Sequence, residues 1–126
     1  MLTIFAMAAA LATAAQDAGE WQDFGAGPDG VAVSVNIDSI ERGAEGAEAM
    51  VRLRMPQATG TTAVQSDILF SFDCAGRRAT RRLYVEHRAN GEISARSTDG
   101  EPMPPVEVAA NTPLDQVREL ACSLAG

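Results

Sequence analysis

The two cysteines of the chain, Cys74 and Cys122, constrain its fold more than any other feature. A bond between them would close a loop of about 50 residues and fasten the C-terminal segment to the middle of the chain. Whether they form a disulfide, bind a metal or take part in catalysis depends first on the compartment, because disulfides persist mainly in oxidising environments. The N-terminal segment carries that information.

Residues 1–15 predict a secretory signal peptide. An apolar run from Leu2 to Ala15, interrupted only by threonine, ends in the small residues that are typical of a cleavage site. The run is shorter than the roughly 20 apolar residues that a membrane-spanning helix needs. We therefore expect an exported protein whose mature chain, residues 16–126, forms a single domain without a transmembrane segment. No cysteine follows the run, so a lipid anchor on an N-terminal cysteine is not expected.

Export favours a disulfide between Cys74 and Cys122. A small exported domain gains stability from such a crosslink, about 4 kcal/mol on the chain-entropy model. A zinc site normally takes three or four Cys or His ligands, and the chain has two cysteines and one histidine, His87. A catalytic Cys–His pair is compatible with the spacing but is the weaker interpretation. The sequence thus predicts one disulfide, no metal site and no cofactor.

Alternation of apolar and polar residues predicts about six β-strands in meander order, at residues 20–24, 31–40, 51–55, 66–74, 79–88 and 92–97. Turn signals separate them, among them GAGPDG at 25–30 and the hairpin signal Asn90-Gly91. In the fourth strand Cys74 has the parity of Phe70 and Phe72, and we expect it to point into the core. In the fifth strand we expect Leu83 and Val85 to face inward.

Residues 112–126 predict the single helix. Thr112 is placed to cap it, Pro113 suits its first position, and Asp115 lies where a carboxylate stabilises the exposed amides. Cys122 flanks an apolar stripe that consists of Leu114, Val117, Leu120, Ala121 and Leu124. A bond to Cys74 would hold this stripe against the apolar face of the sheet. The predicted fold class is α+β.

Several features follow one another in a characteristic order: Trp21, the strand end at residues 36–40, the strand end Phe72-Asp73-Cys74, Tyr84 before the hairpin at Gly91, and Cys122 in a short helix. In this order they resemble the surface-adhesin protein E family of Gram-negative bacteria. The resemblance implies a curved antiparallel sheet whose concave face holds the C-terminal helix through the disulfide. It also implies an envelope protein, in the periplasm or at the cell surface, that binds matrix and plasma proteins of a host.

The charges disfavour nucleic acid as a partner, because the chain has a net charge of −7 and all ten of its basic residues are arginine. With regular alternation Arg78, Arg82 and Arg88 would share a face with Tyr84, which makes these four residues a candidate binding face. We favour a different interpretation, in which opposite charges pair across strands. Arg52 and Arg54 would lie in one column of the outer face, Asp67 and Asp73 in the next, and Arg78 and Arg82 in a third.

The sequence favours binding over catalysis. A Ser-His-Asp site could use only His87, expected at the rim of the sheet, and no nucleophile-elbow sequence is present. Glu45 and Glu48 are expected in a polar loop, without an apolar pocket that would raise a pKa. We therefore expect a non-enzymatic binding protein of the cell envelope with a protein partner. An alternative, indicated by the net charge, is a small acidic periplasmic inhibitor of a cationic enzyme such as a lysozyme.

Overall fold

The structure, a computed structural model, describes residues 19–56, 63–97 and 103–125. The predicted signal peptide, residues 1–15, and the start of the mature chain lie outside these ranges. Within them the chain forms eight strands and one α-helix. The elements are β1 (Trp21–Ala26), β2 (Ala32–Asn36), β3 (Glu41–Gly43), β4 (Gly46–Arg54), β5 (Ala63–Asp73), β6 (Arg78–Arg88), β7 (Ile93–Arg96), β8 (Val106–Glu107) and α1 (Pro113–Ala125), with a 3₁₀ turn at Ile37–Ser39 after β2.

The strands form one open antiparallel sheet in the order β1-β2-β4-β5-β6-β7, so the predicted meander and fold class are confirmed. The two further strands are short: β3 pairs with the start of β4, and β8 pairs with the start of β6. The segment that was expected to be a polar loop, residues 41–48, is largely the β3–β4 hairpin, in which Glu41 lies opposite Glu48. Strand β3 has only three residues, and the start of β4 buries the small residues Ala47 and Ala49, which give a weak hydrophobic signal.

Helix α1 covers one face of the sheet, where it packs chiefly on β4 and β1. Val35, Val51 and Phe72 of the sheet and Val117 and Ala121 of the helix are fully buried there. Burial of each large apolar side chain contributes about 1.5–3 kcal/mol, so this layer is the main source of stability. We call this side of the sheet the helix face. The opposite side, which α1 leaves uncovered, we call the open face.

The helix begins as its sequence predicts. Thr112 Oγ1 accepts a hydrogen bond from the Asp115 amide at 3.2 Å, as an N-cap does. The Asp115 carboxylate is 2% exposed and accepts hydrogen bonds from the Asn111 amide at 3.1 Å and from Arg118 Nε at 3.0 Å. Arg77 approaches the same carboxylate to 3.9 Å. These contacts satisfy a buried charge at the start of the helix, where the dipole favours it.

The predicted disulfide is confirmed: Cys74 and Cys122 are bonded, and their Cα atoms are 5.7 Å apart. The expectation that Cys74 lies in the core is wrong, because β5 ends at Asp73 and Cys74 is an exposed turn residue. The bond therefore fastens α1 at the margin of the helix face. Gly46 makes room for it, since a Cβ at position 46 would overlap Cys74 Sγ.

A β-bulge in β6 changes which of its side chains face the helix. Leu83 lies opposite Leu69, and Arg81 lies opposite Phe70, so Arg82 is an extra residue in the ladder. An extra residue reverses the alternation of every side chain beyond it.

The bulge overturns the inward orientation that we expected for Leu83 and Val85. Both lie on the open face, where Val85 is opposite Asp67 and Leu83 is 40% exposed. Tyr84 is opposite Ile68 instead and packs against the core of the helix face. In the second half of β6, the side chains that were predicted to face the helix therefore lie on the open face, and Tyr84, which was predicted to lie on the open face, packs against the core.

Candidate functional site

The open face carries a row of side chains contributed by five neighbouring strands. Ser34 of β2 lies opposite Arg52 of β4, which lies opposite Asp67 of β5. The row continues through Val85 of β6 to Arg96 of β7. Directly opposite residues of antiparallel strands project from the same face, so these five side chains share one surface.

An ion pair forms the centre of this row. Arg52 Nε donates to Asp67 Oδ1 at 2.9 Å, and Arg52 Nη2 donates to Asp67 Oδ2 at 3.3 Å. Gln65 Nε2 also lies within hydrogen-bond distance of the carboxylate, at 3.3 Å from Oδ1. Arg52 is only 7% exposed and Asp67 only 4%. Two-point pairing of this kind fixes the orientation of both groups, so the open face has a rigid polar centre.

The indole ring of Trp21 covers the guanidinium group of Arg52. The Arg52 Cζ atom lies 4.1 Å from the ring centroid, a cation–π contact worth about 0.5–2 kcal/mol. Trp21 Nε1 is buried and has no hydrogen-bond acceptor among the described residues. Trp21 stands in the edge strand β1 and still protects the central ion pair from water. This contact could not be predicted from the sequence, because it depends on the register of β1, β2 and β4 together.

His87 also lies on the open face, at its rim. Its Nε2 atom is 3.9 Å from Asp67 Oδ2. Residue 87 is opposite Gln65 in β5 and opposite Ile93 in β7. No group of three or more His, Cys, Asp or Glu side chains within the described ranges is arranged to hold a metal ion. His87 is therefore a polar residue at the flank of the central pair.

Three shallow hollows surround the Arg52–Asp67 pair. One of about 320 Å³ lies beside Trp21, Ser34 and Arg54, and one of about 300 Å³ lies beside His87. A smaller hollow of about 170 Å³ is lined chiefly by the apolar side chains Met50, Leu83 and Val85, with Asp67 and Arg96 at its border. The open face therefore offers apolar and polar recesses around one fixed centre.

The four residues of the predicted basic face do not share a surface. Arg78 precedes the bulge, and Arg82 is the extra residue that forms it. Arg82 Nη1 lies 3.4 Å from Glu48 Oε2. Tyr84 lies beyond the bulge and packs on the helix face. Arg88, four positions further along β6, has the parity of Tyr84 and lies 3.6 Å from Glu92. These residues do not share a surface because the bulge at Arg82 reverses the alternation of the residues that follow it. A binding role for any of the four stays a prediction.

The predicted pairing of charges across strands is found in part. Arg52 and Asp67 pair as expected. Asp73 does lie opposite Arg78, but its carboxylate accepts hydrogen bonds from the Ala75 and Gly76 amides in the turn. Arg82 pairs with Glu48, which the sequence had placed in a loop. The alternation of positive and negative residues between neighbouring strands thus predicted the Arg52–Asp67 ion pair correctly.

In the ranges that the structure describes, none of the helices is both long enough and apolar enough to span a membrane.

The protein has an open antiparallel sheet. A disulfide holds the C-terminal helix on one face of this sheet, and the Arg52–Asp67 ion pair lies on the other. These features define a small, disulfide-stabilised protein of the α+β class. The model of the surface-adhesin protein E family matches residues 21–123. The match covers most of the chain, and the protein belongs to this family. The family implies a surface or exported protein with an adhesin-like role. No curated protein and no solved structure matches the chain.

Proposed function

We propose that this protein is an exported, non-enzymatic binding protein of the cell envelope that contacts a protein partner through its open face. One observation supports the use of this face above all: a rigid polar centre, Arg52 with Asp67, adjoins apolar side chains that remain accessible. Leu83 is 40% exposed and Ile93 is 47% exposed, both on this side of the sheet. Binding sites in proteins commonly combine fixed polar groups with apolar recesses in this way.

Family membership supports a binding role rather than catalysis. The helix face is filled by α1, so a partner has access to the open face, the loops and the sheet edges. Of these surfaces, the open face is the one that contains the central ion pair, Trp21 and the three hollows. A partner docking here would meet groups that are already ordered, which lowers the entropic cost of binding.

The test uses the mature chain and two variants with the same substitution on different sides of the molecule. Purified protein is applied to immobilised extracellular-matrix and plasma proteins, and retained protein is quantified. Leu83→Asp places a charge on the open face. Leu124→Asp places it near the C-terminal end of α1, where Leu124 is 56% exposed although the sequence predicted it in the apolar stripe. We expect Leu83→Asp to weaken capture at least tenfold, as loss of a central apolar contact does, and Leu124→Asp to leave it unchanged.

Equal effects of the two variants would show that the open face is not the contact surface. Absence of binding to every immobilised protein, with the folded wild type, would contradict an adhesin-like role. Stoichiometric inhibition of a lysozyme by the purified protein would instead establish the inhibitor function that the acidic net charge indicates.

A further inference from the structure

Two arginines on the open face have no acidic partner within the described residues. Arg54 of β4 lies between Ala32 of β2 and Gln65 of β5. Arg96 of β7 lies opposite Val85 of β6. Both side chains are exposed. They contrast with Arg52, whose charge is compensated by Asp67.

Arg54 and Arg96 are therefore two accessible cations on a face that also carries carboxylates. Asp67 is paired with Arg52, and Glu48 is paired with Arg82. Asp23 lines the same hollow as Arg54, and its carboxylate accepts the Gly25 amide hydrogen at 3.0 Å. Charges separated by more than about 8 Å are largely screened at physiological ionic strength. A bound segment therefore responds to Arg54 and Arg96 more than to the net charge of −7.

An apolar recess accompanies these cations. The hollow of about 170 Å³ lined by Met50, Leu83 and Val85 has Arg96 at its border. The hollow of about 320 Å³ beside Trp21 is lined by Arg54 and Ser34, together with Asp23. Arginine presents a planar set of donors that matches a carboxylate, and Ser34 adds a further donor.

We propose that the open face binds an acidic segment of a protein partner. Carboxylates of the segment contact Arg54 and Arg96, and one apolar side chain of the segment enters the hollow formed by Met50, Leu83 and Val85. This inference rests on the proposed function and adds the chemistry of the partner. Charge complementarity selects the segment, and the apolar anchor gives it a fixed position on the sheet.

The experiment uses three short synthetic peptides as probes. The first is rich in glutamate and has one central leucine, the second has glutamine in place of each glutamate, and the third has alanine in place of the leucine. Binding to the mature protein is followed by fluorescence anisotropy at low and at high salt. We expect the first peptide to bind best and to lose affinity as salt increases, because exposed ion pairs are screened.

Protein variants then locate the site. Arg54→Gln and Arg96→Gln should each weaken binding of the first peptide by about 2- to 5-fold, as loss of an exposed ion pair does. The matched control is Arg81→Gln, which removes the same charge from an exposed residue opposite Phe70, on the helix face. We expect Arg81→Gln to bind as the wild type does.

Equal weakening by all three arginine variants would overturn the proposal, since the attraction would then be diffuse. Failure of the glutamate peptide to bind better than the glutamine peptide would also overturn it. Either result leaves the proposed function standing if Leu83→Asp still abolishes partner capture. If Leu83→Asp and Leu124→Asp have equal effects on capture, the use of the open face itself is wrong.

Discussion

Asp67 accepts hydrogen bonds from two nitrogens of Arg52 on the side of the sheet that the helix leaves uncovered. Both residues are nearly inaccessible to water, at 4% and 7% exposure, and Trp21 lies over the guanidinium group. An ion pair so well shielded is held in one geometry by its own hydrogen bonds. It therefore organises the open face in the absence of any partner.

Removal of Asp67 should be strongly destabilising. The change Asp67→Ala removes the carboxylate that accepts two hydrogen bonds from the buried Arg52 guanidinium, and we expect the free energy of unfolding to fall by about 3–5 kcal/mol. Urea denaturation followed by circular dichroism measures the loss. The matched double variant Arg52→Met/Asp67→Leu removes both charges and should recover most of the stability. A double variant as unstable as Asp67→Ala would contradict this account.

Loss of the disulfide should loosen the helix. In Cys74→Ser/Cys122→Ser the unfolded chain is no longer constrained, and the entropy model predicts a loss of about 4 kcal/mol in the free energy of unfolding. Chemical denaturation gives the difference, and Cys74→Ser alone is expected to behave like the double variant. The native protein should gain the mass of two hydrogens on reduction and unfolding. An unchanged mass would show that the bond is absent.

Gly46 should resist substitution because of its neighbour Cys74. Gly46 has φ +146°, and an added Cβ would overlap Cys74 Sγ and lie 2.9 Å from Cys74 Cβ. Gly25 is the matched control, since it has φ +81° and open space around its Cα. We expect Gly25→Ala to cost about 1 kcal/mol for its backbone conformation, and Gly46→Ala to cost about 1–3 kcal/mol more. Similar costs in thermal denaturation would show that the contact with Cys74 is unimportant.

The helix face could be predicted from sequence because its signals are local and regular. Val33 and Val35 in β2 and Phe70 and Phe72 in β5 alternate strictly, and all four are buried. The disulfide followed from the cysteine count and the expected export. Neither inference needed the register of distant strands.

The open face was only partly predictable. Leu83, Tyr84 and Val85 are all apolar or amphipathic, so a one-residue shift leaves an equally plausible pattern, and the bulge at Arg82 is invisible in the sequence. The central pair of Arg52 and Asp67 could be anticipated, because a meander places their strands side by side. The contact of Trp21 with Arg52 could not, since it requires the exact offset of three strands.

Leu83→Asp should fold normally, which makes it a valid probe of binding. Leu83 is 40% exposed on the open face, so the substitution should change the free energy of unfolding by no more than about 1 kcal/mol, the range of strand preferences. Val51→Asp introduces the same residue in the core of the helix face, where Val51 is fully buried. We expect it to prevent folding, because an unpaired charge would be buried. Circular dichroism and urea titration distinguish the two, and severe destabilisation by Leu83→Asp would contradict the orientation assigned to β6.

Asp115 should make stability depend on pH at the acid end. Burial alone would raise the pKa of its carboxyl, but the Asn111 amide, the Arg118 guanidinium and the Arg77 charge outweigh burial and hold the pKa below the ordinary value of 3.8. A carboxyl with a lowered pKa in the folded state stabilises that state above its unfolded pKa, and the stabilisation is lost as pH falls through the folded pKa. The contribution of Asp115 is therefore complete at neutral pH, begins to decline as the pH falls below about 4, and is lost as the pH falls through the lower pKa of the folded state.

Asp115→Asn should separate this effect from the other carboxylates. At neutral pH the variant lacks a buried charge that Arg118 and Arg77 require, and we expect the free energy of unfolding to be about 2–4 kcal/mol lower. Its stability should also fall less steeply than that of the wild type as pH decreases from about 5 to 2. Glu119→Gln is the control, since it removes one exposed carboxylate from the same helix. The measurement is the urea midpoint of each protein across this pH series. If the midpoint of Asp115→Asn falls with decreasing pH as steeply as that of the wild type, other groups cause the acid sensitivity.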